Sequence, residues 1–239
     1  MRRVLITGGG TGIGKAIAHA FSEAGDAVTI AGRRAAVLEA AAEGRDIDRV
    51  EADVTEEAQV EALFEKPFDV VIANAGGGAA AKIRDTSLED WNDTLAVNLT
   101  GTFLTFRAAL RGMGTGGRLI AIASTASLKG NPAVPAYTAA KHGVLGLVRA
   151  VSLDVAKSGI TCNAICPGFT DTDLAETAIS GLMTRFDVDR EKATKMVTSG
   201  NPQGRLIDPS EVAATALFLA SEGAASINGH ALSVSGGEI

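Results

Sequence analysis

A doubly wound α/β fold, one parallel sheet of about seven strands with helices on both faces, is the architecture this sequence predicts. Three observations carry that prediction. Short β-branched runs alternate with longer alanine-rich stretches from end to end. The runs are nearly all apolar rather than alternating, as strands are when helices cover both faces of a parallel sheet. The first run also passes through a glycine-rich turn straight into the first helix-like stretch. At 239 residues the chain suits one large α/β domain, 1–239, better than two small ones.

Taken in order, strands are expected at VLITG (4–8), AVTIAG (27–32), DRVEAD (48–53), FDVVIANAG (68–76), GRLIAIAS (117–124), ITCNAICPG (160–168) and ALSVSGG (231–237). Helices are expected near 12–24, 34–43, 56–64, 88–111, 136–157 and 209–220. The segment 171–208 breaks this rhythm. It is polar, charged and helix-like without a strand, so it reads as an insertion. Insertions beyond the carboxyl ends of strands usually cover a ligand site, and a substrate lid is the expectation here. No interdomain linker or internal repeat is visible.

Composition excludes several functions. A formal charge of −6 argues against general nucleic-acid binding, which needs clustered Lys and Arg. No stretch approaches the ~18 apolar residues of a membrane span. The strand-like run begins at Arg2, so the expectation is a chain without a leader, soluble and cytoplasmic. Cys162 and Cys166 lie four apart in an apolar run, too far apart on a strand for a disulfide, and read as small buried hydrophobes. His19, His142 and His230 are scattered without metal-ligand spacing, so no metal site is expected.

The turn TGGGTGIG (7–14) carries the first functional signal. Glycines let the backbone turn tightly and approach a pyrophosphate, which then sits on a helix N-terminus. Such a turn alone also fits a plain tight bend. Its place after strand one and before helix one favours a Rossmann-type dinucleotide site. The spacing, Gly8-x-x-x-Gly12-x-Gly14, is a variant of the usual fingerprint. Strand two then ends Ala31-Gly32-Arg33-Arg34, with no Asp or Glu to grip a ribose 2′-hydroxyl. Guanidinium groups hold a 2′-phosphate instead, so NADP(H) is the expected cofactor, with NAD(H) as the alternative. The competing reading, two ordinary charges opening a helix, conflicts with the helix dipole.

YTAAK (137–141) holds the only tyrosine of the chain, one helical turn ahead of Lys141. A phenol beside an ammonium is either surface decoration or an acid with its tuning cation. TGGGTGIG, ANAG (73–76), Asn98 in VNLTG, Ser124, YTAAK and PGFTDT (167–172) together resemble the ordered signature of the short-chain dehydrogenase/reductase family. The resemblance runs from residue 4 to about 237, with Ser124 thirteen residues ahead of Tyr137, a separation typical of that family.

The resemblance implies specific roles. Tyr137 would be the general acid/base, its pKa brought down from ~10 by the Lys141 ammonium. Lys141 would also bind the nicotinamide ribose, Ser124 would hydrogen-bond the substrate oxygen, and Asn98 would hold a relay water. Gly8, Thr11, Gly12, Ile13 and Gly14 would cradle the phosphates, with Thr11 where many NADP-specific relatives carry a second basic residue. Asp53 would meet the adenine amino group, with Val54 beside the ring. Asn74, Ala75 and Gly76 would support the adenosine loop. Pro167 and Gly168 would face the nicotinamide, with Thr172 near its carboxamide. ANAG in place of the commoner NNAG, and VSGG in place of a frequent VDGG, are departures. Lid cations Arg185, Arg190, Lys192 and Lys195 are candidates for substrate phosphates.

The implied activity is NADP(H)-linked hydride transfer to a small-molecule carbonyl or from a secondary alcohol, similar to 3-oxoacyl-thioester reductases. An NAD-linked dehydrogenase of a small alcohol or sugar is the competing enzyme, and a non-catalytic NADP-binding regulator the competing class. Relatives imply a homo-oligomer, a tetramer built through 88–111 and 136–157. Ala139, Ala140, Gly143 and Gly146 give the second helix a small-residue surface, usable for that contact or within the subunit.

Overall fold

The computed structural model describes residues 1–239 and arranges seven strands in one parallel sheet. The strands are β1 (Arg3–Thr7), β2 (Ala27–Gly32), β3 (Ile47–Glu51), β4 (Val70–Ala73), β5 (Arg118–Ile122), β6 (Thr161–Pro167) and β7 (Ala231–Val234). Their order in space is β3-β2-β1-β4-β5-β6-β7. Chain direction through the sheet therefore reverses between β1 and β4, where Val4, Leu5 and Ile6 register with Val70, Val71 and Ile72. In such sheets ligands bind beyond the carboxyl ends of the strands at that reversal.

Successive residues on each strand feed opposite cores. Val4, Ile6, Val28, Ile30, Ile72, Ile120 and Ile165 point to one face. That face is covered by α1 (Gly12–Glu23), α2 (Ala35–Ala42) and α9 (Pro209–Leu219), which supply Ile17, Phe21, Leu38 and Leu219. Leu5, Val71, Leu119, Ala121 and both cysteines point to the other. There α5 (Gly101–Leu110) and α6 (Pro135–Val155) contribute Phe106, Val144 and Val148. Cys162 and Cys166 are free and buried on that one face. The charged strand β3 is the exposed edge, with only Ile47 buried, and its charges blunt further pairing.

Two local features were not predicted. The expected helix 88–111 is continuous but not uniform: α4 (Leu88–Leu95) passes into α5 through a π turn over Ala96–Thr100. Thr102 and Thr105 Oγ1 donate to the Asn98 and Gly101 carbonyls, at 2.7 Å each. The insertion 171–208 forms α7 (Asp173–Phe186) and α8 (Arg190–Thr198), a helical hairpin with its own small core of Ile179, Ala193 and Val197. The remaining helix, α3 (Glu57–Ala62), covers the flank of α5. No helix is long and apolar enough to cross a membrane.

Candidate active site

A cavity of about 530 Å³ opens at the carboxyl ends of β1 to β6, within the usual range for ligand sites. Every catalytic or cofactor-binding residue expected from the sequence lines it except Asn98. Its floor is the glycine turn. Gly8 takes φ +64°, a left-handed conformation that most residues avoid, and its N–H donates to the Ala31 carbonyl at 2.7 Å. A Cβ on Gly14 would lie 2.5 Å from Asn74 Nδ2, so that position admits no side chain. Asn74 Nδ2 donates to the Thr7 and Gly8 carbonyls at 3.0 Å each, tying the turn to the loop after β4. Thr11 gives α1 no side-chain cap, and no acid occupies its first turn. The amides of Gly12, Ile13 and Gly14 thus remain a positive-dipole site suited to an anion.

At the β2 end, Arg33 is 74% exposed and lies 4.0 Å from Asp53 Oδ2. Asp53 Oδ1 is occupied, accepting from the Thr55 N–H at 2.9 Å and the Thr55 hydroxyl at 2.8 Å. Asp53 Oδ2 carries only the long Arg33 contact. Arg34 is the N-cap residue of α2, also exposed, and Val54 is buried at the cavity wall. Two guanidinium groups and one half-committed carboxylate therefore face this end.

The opposite end gathers Ser124, Tyr137 and Lys141. Ser124 follows β5, and its Oγ accepts from the Ala126 N–H at 3.1 Å. Tyr137 and Lys141 sit in the first turns of α6, which Pro135 opens. Lys141 is buried, donates to the Ile122 carbonyl at 2.8 Å, and stands 5.5 Å from the Tyr137 ring centroid. Burial lowers its pKa to about 8. The expectation that this ammonium brings the phenol down is not met. Burial pushes the Tyr137 phenol up, and the Ser124 hydroxyl offsets only part of the rise. The physical reason is placement: the ammonium lies over the ring face while its nearest acceptor is a backbone carbonyl. That shift favours the neutral form of the phenol.

Asn98 lies behind the cavity wall rather than on it. It is fully buried in the π turn, with Nδ2 donating to the Gly77 carbonyl at 2.5 Å and the Thr94 carbonyl at 2.8 Å. Its Oδ1 accepts from the Gly77 N–H at 3.2 Å. The amide is committed to shaping the glycine loop. A Cβ on Gly76 would lie 2.6 Å from Asn98 Oδ1 and 3.5 Å from Lys141 Nζ, so this plain loop is what lets the three converge.

Comparison with known proteins settles the relationship. A family model described as enoyl-(acyl carrier protein) reductase matches residues 8–238. A protein of Streptomyces violaceoruber, named as a ketoacyl reductase of the granaticin polyketide synthase, is 36% identical over 251 residues, covering 98% of this chain and 91% of its own. The D-beta-hydroxybutyrate dehydrogenase of Rhizobium meliloti is 35% identical over 252 residues, covering 99% and 98%. A crystal structure of an actinorhodin polyketide ketoreductase variant with NADPH superposes with TM-score 0.93 at 33% identity, covering 99% of this chain and 97% of that one.

The chain belongs to the short-chain dehydrogenase/reductase family. It is an oxidoreductase of that family, and its Rossmann-type sheet is the family's.

In this short-chain dehydrogenase/reductase the remaining walls come from residues the sequence reading missed. Phe169, Leu174, Ala178, Val134 and Ala80 line the side beyond Tyr137, and all are apolar. Phe169 and Leu174 remain largely exposed at the mouth. Their signal was two isolated large hydrophobes, Phe169 and Leu174, in the otherwise polar stretch after Pro167 and Gly168. Thr172 packs against Gly12, where a Cβ would come within 2.9 Å of its Cγ2, so the hairpin begins directly over the glycine turn. The lid cations do not face this cavity. Arg190 makes a bidentate pair with Glu176 at 2.6 Å, Lys195 pairs with Glu191 at 2.7 Å, and Arg185 lies against the Phe186 ring. They hold the hairpin together or sit at its surface.

Proposed function

We propose that the chain reduces a carbonyl compound with NADPH, using Tyr137 as proton donor, Ser124 as the group that orients the carbonyl oxygen, and Lys141 as a buried cation beside both. One observation carries this reading: a single cavity has two exposed guanidinium groups at one end and a half-buried phenol, its pKa pushed up, at the other, with a glycine-cradled helix N-terminus between them. The residues fit a phosphorylated dinucleotide, whose nicotinamide would supply or accept the hydride. Arg33 and Arg34 would hold the 2′-phosphate, the amides of Gly12 to Gly14 the pyrophosphate, and Asp53 Oδ2 and Val54 the adenine. Asn74, Ala75 and Gly76 would form the adenosine-side wall, with Pro167, Gly168 and Thr172 at the nicotinamide. Proton transfer then runs from Tyr137 Oη to the carbonyl oxygen, to which the Ser124 hydroxyl also donates. Lys141 would favour the negative charge that builds on those oxygens as the proton moves.

The apolar wall of Phe169, Leu174, Ala178 and Val134 supports a ketone with an apolar substituent, a 3-oxoacyl group being one such. The α7–α8 hairpin would close over it as a lid. We further infer a homo-oligomer joined through α4–α5 and α6, supported by exposed Leu88, Phe103 and Leu153. Of the small residues on α6, Ala140 is buried and Gly143 lies against Leu99, so these two serve the subunit itself, while Gly146 stays exposed with open space beside it. The deciding experiment is turnover of ketones and 3-oxoacyl thioesters with NADPH and NADH by the purified chain. A roughly ten- to a hundred-fold kcat/KM preference for NADPH is expected. Cofactor binding without any carbonyl turnover would leave a regulator instead.

A further inference from the structure

Two cavity walls, the loop 128–134 and the α7–α8 hairpin, belong to distant parts of the chain. The C-terminal tail touches both. After β7, Gly236 and Gly237 take φ +63° and +94° and fold the tail back. A Cβ on Gly236 would collide with the Asn201 side-chain amide, and one on Gly237 would come within 3.4 Å of Pro202. Asn201 is itself buried, donating to the Arg205 carbonyl and accepting from the Gln203 N–H, each at 2.8 Å. The tail thus lies on the returning end of the hairpin.

Glu238 reaches the other way. Its side chain is 9% exposed, and its Oε1 lies 2.9 Å from Lys129 Nζ. On the way it passes Gly168 and Gly200, whose Cβ positions would fall 3.0 and 3.4 Å from its carboxyl group. Lys129 opens the loop that carries Asn131 and Val134 to the cavity wall. That loop holds Ala133 at φ +61°, a left-handed conformation that persists only where surroundings impose it. An ion pair with one nearly buried member is screened far less than an exposed one.

We propose that Glu238, through Lys129, is a positioning residue: a latch that fixes the loop 128–134 against the end of β6 and the hairpin return, and so sets the wall that receives the substrate. This rests on reading the cavity as the carbonyl site. Neither residue lines the cavity, so the latch acts on substrate through the loop and leaves the nucleotide end alone.

The test compares Glu238→Gln, Lys129→Met and the double variant of the full chain. KM for the carbonyl should rise roughly three- to ten-fold in each single variant, with kcat within about twofold and NADPH Kd unchanged. The double variant should be no worse than either single one, because both remove the same contact. Amide hydrogen exchange should quicken in segments 128–134 and 199–205 in all three. Unchanged exchange there, multiplying effects in the double variant, or faster exchange with unchanged KM would each overturn the latch. A wild-type chain that turns over no carbonyl refutes the reductase reading, and the exchange data alone then judge whether Glu238 ties these segments.

Discussion

Replacing Lys141 by methionine should stabilise the protein near neutral pH while nearly abolishing activity. Lys141 is buried with a single recorded partner, the Ile122 carbonyl, and burial lowers its pKa from 10.5 to about 8. The sign follows from linkage. Below pH ~8 both folded and unfolded states carry the charge, and the folded state bears the full cost of burying it. Between about pH 8 and 10.5 the unfolded chain holds a proton that the folded chain has released, so stability rises with pH. At ~1.36 kcal/mol per pH unit, the depression corresponds to roughly 3 kcal/mol of buried-charge cost. Losing the hydrogen bond to Ile122 returns ~1–2 kcal/mol of that. The variant should therefore be more stable at pH 7 by roughly 1–2 kcal/mol.

Urea unfolding of the cofactor-free proteins at pH 7.0 and 8.5 isolates the effect. Over that interval Lys141 should add roughly 1 kcal/mol to the wild type and nothing to the variant. Cys162 and Cys166 oppose it. Burial raises them to about 12 and about 11, so the unfolded thiols ionise first and stability falls as pH rises. That loss, a small fraction of a kcal/mol by pH 8.5, is nearly the same in both proteins, although the Lys141 charge itself lowers Cys166 a little. Parallel pH dependences in the two proteins would refute the argument that a charged Lys141 is buried at a cost.

Tyr137→Phe keeps the ring and removes the proton donor. Turnover should fall ~10²–10⁴-fold with NADPH Kd unchanged, and a variant retaining a third of the rate would end the assignment. Because burial pushes the Tyr137 phenol up, alcohol oxidation should keep rising with pH above neutrality, while carbonyl reduction should weaken above about pH 8, where Lys141 loses the charge that assists it. An oxidation rate that levels off near pH 7 would show a lowered phenol instead. Arg33→Ala should remove most of the NADPH preference, roughly ten-fold or more in kcat/KM, and leave NADH turnover within a few fold. Equal effects on both cofactors would assign Arg33 elsewhere. Gly14→Ala places a methyl group 2.5 Å from Asn74 Nδ2, and should cost ~1–3 kcal/mol of stability along with cofactor affinity, measured by thermal melting and titration.

The fold was legible because strand identity here is a compositional property. Seven apolar runs with helices between them leave few other solutions, and β2, Ala27–Gly32, has the boundaries its β-branched run implies. Strand ends near the site were less legible. FDVVIANAG reads as one strand, yet pairing stops at Ala73, because Asn74 must turn to bond Thr7 and Gly8. Apolar composition continues past that point, and the hydrogen-bond demand that ends the strand comes from residues 66 and 67 positions away. The apolar wall was missed for a related reason. Phe169 and Leu174 are ordinary hydrophobes whose meaning depends on which loops lie opposite them.

Charge was the least legible property. Sequence places Lys141 one turn from Tyr137 and so invites a Coulomb argument, but both groups are desolvated, and desolvation dominates both shifts. The same distinction separates Arg33 from Arg190. Each is an arginine in a plausible place, and only the fold gives Arg190 a carboxylate in bidentate range while leaving Arg33 a 4.0 Å contact. Asn98 carries the argument furthest. Its presence in VNLTG was readable, but its work is to bond both the N–H and the carbonyl of Gly77 from inside a helix. It sits at the centre of the π turn Ala96–Thr100, where the bond spacing widens by one residue. Nothing in the composition of VNLTG marks that widening. The cause lies across the cavity, in a glycine loop too plain to hold its own shape.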